Sequence, residues 1–114
     1  MQGGHKHGYA PDSQGYLDSI AESDRIIGTI LEALQNRPRY AEEDWLLIVS
    51  TDHGGSGFGH GADIPEHRTI FVIAHSQEPP TFPDAVHIVD IPMLVAKHLE
   101  IEVDPTWGWD GRAY

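Results

Sequence analysis

The sequence predicts an α/β protein in which helices cover a sheet of about three parallel strands. Two short runs of consecutive apolar residues are typical of strands that are buried on both faces of such a sheet. Before them, apolar residues recur at three- and four-residue steps, which indicates an amphipathic helix, and a second main helix is expected near the C-terminus. We expect these elements to form one domain over residues 1–114.

The longer of the two predicted helices lies in the N-terminal third. Residues 1–12 are rich in glycine and polar side chains, so we expect a loop there. The helical pattern covers residues 13–36, with Ser13 as a plausible N-cap. Pro38 ends the pattern, because a proline has no backbone N–H to continue the helix.

The predicted strands follow this helix. Residues 45–49 and 69–73 form the two continuous apolar runs, and a short third strand is expected at residues 86–89. Asp90 is a candidate N-cap for the last helix, predicted at residues 91–99. Three strands leave at least one uncovered sheet edge, which predicts self-association and suggests that the chain is a fragment of a larger domain.

Composition excludes several classes of function. Eighteen acidic residues against seven basic ones give a net charge of −11, which disfavours binding to nucleic acid. The chain has no cysteine, so any metal must be bound through histidine, carboxylate or backbone oxygen. No apolar stretch approaches the roughly 20 residues that span a membrane, and we expect no membrane partner. The sequence indicates no compartment.

The strongest chemical signal follows the first predicted strand. Asp52 and His53 are adjacent where the strand ends in glycines, and ligands of α/β sheets bind at the carboxyl ends of strands. His60 lies seven residues further on, within reach of the same crevice if the loop folds back. Nitrogen and oxygen ligands suit Zn²⁺ or Mn²⁺. The alternative is that Asp52 caps a turn and the histidines lie on a solvated loop.

Residues 51–61, with the pattern T-D-H-G-G-(x)4-H-G, resemble the C-terminal metal-binding motif of the alkaline phosphatase superfamily. The closest resemblance is to its type I phosphodiesterase/nucleotide pyrophosphatase branch. Residues 4–8, G-H-K-H-G, are similar to the second half of that superfamily's D-x-x-G-H motif, and residues 65–68, 89–92 and 109–111 continue in the family's order. The resemblance covers nearly the whole chain and implies the C-terminal part of an alkaline phosphatase-like parallel-sheet sandwich.

The resemblance also implies a site with two divalent metal ions, Zn²⁺ in the first place and Mn²⁺ as the alternative. Asp52 and His53 would bind one ion, and His5 and His60 would bind the other. The aspartate of the D-x-x-G-H motif falls on Met1, so that ligand is missing from the sequence. The family's nucleophilic threonine or serine normally lies further toward the N-terminus of a longer chain, in a region that this sequence does not contain.

The function implied is hydrolysis of phosphoester bonds in a small-molecule substrate by the intact protein, through a covalent phospho-enzyme. The 114 residues alone are then expected to be inactive. The alternative is a small metal-binding or interaction module without catalysis, and a third reading is an α/β domain with incidental histidines. Sulfatases and phosphoglycerate mutases share the superfamily, and the sequence does not identify the substrate.

Other residues give weaker signals. His7 is either a substitute for His5 as a ligand or a solvent-facing loop residue. His67 and Arg68 either contact a substrate phosphate or form a surface pair at the start of a strand. A structural role is expected for three further histidines: His75, His87 and His98. Trp107 and Trp109 either stack on a base or, as is usual for aromatic tails, pack on the domain's own surface.

Overall fold

The computed structural model describes residues 3–114 of the chain. In that part of the chain it contains the following helices and strands: α1 (Gly3–His7), α2 (Gln14–Gln35), β1 (Leu47–Ser50), α3 (Pro65–Arg68), β2 (Val72–His75) and α4 (Asp90–His98). The α/β class predicted from the sequence is therefore confirmed. Met1, on which the family's missing aspartate falls, lies outside the described residues.

The chain divides into two compact units. The first runs up to Glu43 and also includes His53–Thr69, while the second comprises Asp44–Asp52 and Ile70–Tyr114. Helices α1, α2 and α3 belong to the first unit, and both strands and α4 belong to the second. Within residues 3–114 none of the helices combines the length and the apolar character needed to cross a bilayer.

Helix α2 is the main element of the first unit, and its extent agrees with the prediction to within one residue at each end. Ser13 occupies the N-cap position, but its hydroxyl donates to the carbonyl oxygen of His7 at 2.7 Å instead of capping the helix. At the other end the backbone N–H of Asn36 donates to the carbonyl oxygen of Glu32 at 3.0 Å. The predicted amphipathic pattern thus defines the helix, whereas the capping interaction differs from the one expected.

The loop predicted at residues 1–12 is wrong for Gly3–His7, which form helix α1. This segment has no apolar periodicity, so nothing local in the sequence indicates a helix. The helix instead forms against α2, because Gly3 has no side chain: a Cβ atom there would approach the side chain of Ser19 to 2.6 Å. Close packing on a neighbouring helix therefore overrides the weak local helix propensity of the glycines.

The sheet of the second unit differs from the predicted one. Strands β1 and β2 pair antiparallel, with Leu47 opposite His75 and Ser50 opposite Val72, so the predicted parallel arrangement is wrong for this pair. The apolar runs predicted burial on both faces, but β1 is only half-buried along its length and β2 alternates between half-buried and exposed residues, a pattern common in antiparallel strands. In the described two-stranded sheet each strand is an edge, and self-association through such an edge stays a prediction.

The third predicted strand, at residues 86–89, is not formed. These residues lead into α4 through a turn, in which the backbone N–H of His87 donates to the carboxylate of Asp90 at 2.7 Å. A bend of this kind removes the extended conformation that the apolar residues would otherwise favour. The unit's buried apolar side chains lie on α4 and include Leu94 and Ala96.

Asp90 does not cap α4, because Val89 occupies the N-cap position and Asp90 is the first helical residue. Its side chain is 2% exposed, and besides the His87 N–H its carboxylate accepts the backbone N–H of Arg112 at 2.8 Å and the hydroxyl of Tyr114 at 2.9 Å. Burial raises the pKa of the Asp90 carboxyl, but the three hydrogen bonds outweigh burial and hold that pKa below its ordinary value. The carboxylate thus ties the C-terminal tail to α4.

Candidate metal centre

Three of the four predicted metal ligands lie together in the first unit. The rings of His53 and His60 are stacked, with centroids 3.8 Å apart and an angle of 16° between their planes. The ring of His5 meets that of His60 edge-on, at 5.0 Å and 69°. The glycine-rich loop therefore returns His60 to His53, as the spacing predicts. The role of these imidazoles as metal ligands stays a prediction.

Asp52, the fourth predicted ligand, lies two residues beyond the end of β1 in the second unit and is exposed to solvent. It directly precedes His53 in the chain. The position agrees with the expectation that the motif follows the carboxyl end of a strand. A carboxylate there is accessible to a cation from solvent.

The ring geometry limits which histidines could share an ion. An imidazole coordinates through a lone pair in the plane of its ring, so two stacked rings do not point at one ion. In this stacked arrangement His53 and His60 therefore do not share one ion, and the assignment of each to a different ion stays a prediction. Two imidazoles on one tetrahedral ion, with metal–nitrogen distances of about 2 Å, have ring centroids about 5 Å apart. The separation of His5 and His60 fits that value.

The arrangement is nevertheless incomplete as a metal site. Among residues 3–114, no group of three or more His, Cys, Asp or Glu side chains is placed to hold an ion. A structural zinc site normally has four ligands and a catalytic one three. The described residues thus show His5 and His60 in ring contact, and metal binding by them or by Asp52 and His53 stays a prediction.

Tyr9 was not a candidate from the sequence, but it contacts the histidine cluster formed by His5, His53 and His60. Its ring meets that of His5 edge-on with centroids 5.8 Å apart, and its backbone N–H donates to the carbonyl oxygen of Gly57 at 2.6 Å. Two glycines make room for the ring: a Cβ atom at Gly4 or Gly55 would come within 2.2 or 2.6 Å of it. The only sequence signal for this contact is the pair Gly4 and Gly55, and it cannot be interpreted until the structure shows that both glycines pack against Tyr9.

His67 is buried at 9% exposure, so the predicted surface position is wrong for this residue. The expected strand start is instead helix α3, which turns the ring of His67 into the unit. Its Nδ1 accepts the backbone N–H of Ala62 at 2.8 Å, and its Nε2 lies 2.8 Å from the hydroxyl oxygen of Ser56. Arg68 is exposed as predicted and forms an ion pair with Asp63 at 2.9 Å.

Gly54 allows the loop to approach α3, and this leads to a prediction. A Cβ atom at Gly54 would lie 2.1 Å from the carbonyl oxygen of Glu66 and 2.8 Å from that of Thr69. Because both are backbone atoms, we expect Gly54→Ala to destabilise the chain by about 3 kcal/mol. Gly59→Ala is the matched control, since nothing lies within 4 Å of its Cβ position. Urea unfolding measures both, and equal midpoints would contradict the packing described.

The weaker candidates are placed as follows. His7 is half-buried, and a Cβ atom at Gly15 of α2 would approach its ring to 2.4 Å, so it is not the fully solvent-facing residue expected. In the second unit Trp107 and Trp109 contact each other with centroids 5.5 Å apart, and each remains about half exposed. His98 lies near Asp44, with Nδ1 3.8 Å from a carboxylate oxygen. None of these supplies a further ligand to the cluster among the described residues.

Residues 2–73 match the family described as type I phosphodiesterase / nucleotide pyrophosphatase. A phosphopentomutase of Deinococcus radiodurans is 29% identical over 107 residues, which cover 93% of this chain and 24% of the phosphopentomutase. The chain thus spans about a quarter of the length of that curated relative. No solved structure gives a significant match.

Proposed function

The chain belongs to the type I phosphodiesterase / nucleotide pyrophosphatase family, and on that premise we propose that it supplies part of the metal centre of an enzyme that hydrolyses phosphoester bonds. The observation that carries the proposal is the contact among His5, His53 and His60, which come from separate segments of the first unit. Their donor nitrogens, with the oxygens of Asp52, form the type of ligand set that Zn²⁺ and Mn²⁺ prefer.

In this proposal His5 and His60 bind one divalent ion, and Asp52 and His53 bind the other. A bound pair of ions supplies positive charge that stabilises a phosphoryl group during transfer. The two ions would be kept apart by His53 and His60, because stacked rings carry their coordinating nitrogens in two separate, nearly parallel planes. No nucleophile is proposed among these 114 residues, so they are expected not to turn over substrate by themselves.

The charge of the protein supports a role for cations. A net charge of −11 disfavours the approach of an anionic phosphoester. Near the cluster, the guanidinium of Arg68 is already paired with the carboxylate of Asp63. Two divalent ions would make the local electrostatic potential positive at contact distance. The repulsion of an anionic substrate by the acidic surface is screened beyond about 10 Å.

A second candidate function is transfer of a phosphoryl group within a sugar phosphate. The observation that favours it is the similarity to a protein named phosphopentomutase, which covers nearly the whole chain. Both candidates use the same metal centre and differ in the acceptor of the phosphoryl group. Cleavage of a phosphodiester or phosphomonoester by water in the intact protein supports hydrolysis, whereas isomerisation of a pentose phosphate without release of inorganic phosphate supports the mutase.

Metal titration tests the centre directly. We expect Zn²⁺ to bind the chain. We expect His60→Ala to weaken this binding at least about tenfold, because the ion proposed to bind His5 and His60 loses one of its two imidazole ligands. His75→Ala is the matched control, since His75 is also an exposed histidine and lies at the end of β2 in the other unit. Isothermal titration calorimetry measures both, with circular dichroism to verify folding. Equal affinities for wild type and His60→Ala would remove His60 as a ligand.

A further inference from the structure

The loop that carries two of the proposed ligands needs an anchor. Between His53 and His60 the chain contains four glycines: Gly54, Gly55, Gly57 and Gly59. Glycine loses more conformational freedom on folding than any other residue, so this loop has many alternative conformations of similar energy. A stacked pair of imidazoles at its two ends therefore depends on contacts made by the rest of the unit.

His67 makes three such contacts. Its carbonyl oxygen accepts the backbone N–H of Gly54 at 2.9 Å, directly after His53. Its Nδ1 accepts the backbone N–H of Ala62 at 2.8 Å, two residues after His60. Its Nε2 lies 2.8 Å from the hydroxyl oxygen of Ser56, in the middle of the loop. One buried residue thus holds both ends and the centre of the loop.

These contacts determine which nitrogen of His67 carries the proton. A backbone N–H only donates, so Nδ1 must present its lone pair to Ala62. In the neutral imidazole the proton is then on Nε2, which donates to the Ser56 oxygen. This tautomer leaves Nε2 without a lone pair for the Ser56 proton. The pair is therefore not a serine nucleophile with its general base, and neither nitrogen is available to an ion.

We propose that His67 is a positioning residue that orients His53 and His60 for metal binding, through its hydrogen bonds to Gly54, Ser56 and Ala62. The inference rests on the proposed function, since it concerns the ligands of that centre. Loss of the imidazole keeps both ligands and the backbone hydrogen bond to Gly54, but it releases the loop at Ser56 and Ala62. Metal affinity then falls because ordering the loop is added to the cost of binding.

Substitutions at His67 separate its two ring contacts. His67→Asn places an amide oxygen near the position of Nδ1, where it can accept the Ala62 N–H, while His67→Phe keeps a ring but removes both contacts. We expect Zn²⁺ affinity to fall at least about tenfold in the Phe variant and to recover partly in the Asn variant. Calorimetry below the melting temperature of each variant measures this. Wild-type affinity in His67→Phe, or equal losses in both variants, would overturn the proposal.

NMR of the metal-free chain gives a readout that does not depend on metal binding. Imidazole ¹⁵N shifts should show His67 as the Nε2–H tautomer, and ring-proton shifts of His53 and His60 should report their stacking. We expect the stacking shifts to be lost in His67→Phe and retained in His67→Asn. Stacking that survives in His67→Phe, or an Nδ1–H tautomer, would overturn the role of His67. A wild-type chain that keeps these signals and binds no Zn²⁺ overturns the proposed function instead.

Discussion

Substitution of Asp52 by alanine is expected to reduce phosphoester turnover roughly a thousandfold in a protein that joins these 114 residues to the upstream part of the family's catalytic domain. The carboxylate of Asp52 is proposed to bind one of two ions. Loss of that ion removes charge stabilisation worth several kcal/mol from the transferred phosphoryl group. Release of p-nitrophenol from an aryl phosphodiester or phosphomonoester measures the effect.

The comparison needs two controls. Asp84→Ala, at an exposed aspartate of the second unit, should leave turnover unchanged in the same joined protein. The 114 residues alone, saturated with Zn²⁺ or Mn²⁺, should release no more product than metal-bound water does, because no hydroxyl is fixed in line with the leaving group. Strong turnover by the short chain that depends on Asp52 would show that the catalytic machinery has been misplaced.

The fold was predictable where the pattern is local. Helix α2 follows from apolar residues at helical spacing, and the two strands follow from the apolar runs. Strand β2, Val72–His75, lies further along the chain than the predicted residues 69–73. The strand direction was mispredicted because the apolar runs were taken to indicate burial on both faces, whereas β1 is only half-buried and β2 alternates between half-buried and exposed residues, as is common in antiparallel sheets. Helix α1 was missed because its stability comes from packing on α2.

In the candidate site, too, only the residues with a local sequence pattern were predictable. Asp52, His53 and His60 stand out because acid, imidazole and glycine follow a strand, and the resemblance adds His5. The residues that hold the cluster in place carry no such signal. Tyr9 and His67 act through packing and through hydrogen bonds to backbone atoms, whose partners are known only once the chain has folded. A buried histidine and an exposed one are identical in the sequence.

The stability of the second unit is expected to depend strongly on Asp90. Its carboxylate accepts hydrogen bonds from two backbone N–H groups and a hydroxyl. An asparagine amide has the same shape, but its NH2 group is a donor and would face at least one of these donors without forming a hydrogen bond. We therefore expect Asp90→Asn to lower the free energy of unfolding by about 3 kcal/mol. Asp84→Asn, at an exposed position, should leave it unchanged. Urea unfolding followed by tryptophan fluorescence is suitable, since Trp107 and Trp109 belong to this unit.

The pH dependence of this difference identifies its cause. The pKa of Asp90 is lower in the folded chain than its ordinary value of 3.8, because the three hydrogen bonds outweigh burial. The ionised group therefore stabilises the folded state above that ordinary pKa, and the contribution is lost as pH falls through the folded pKa. We expect the gap between wild type and Asp90→Asn to be constant near neutral pH and to narrow below about pH 4. A gap that persists unchanged at lower pH would mean that the substitution acts through packing and not through the charge of the carboxylate.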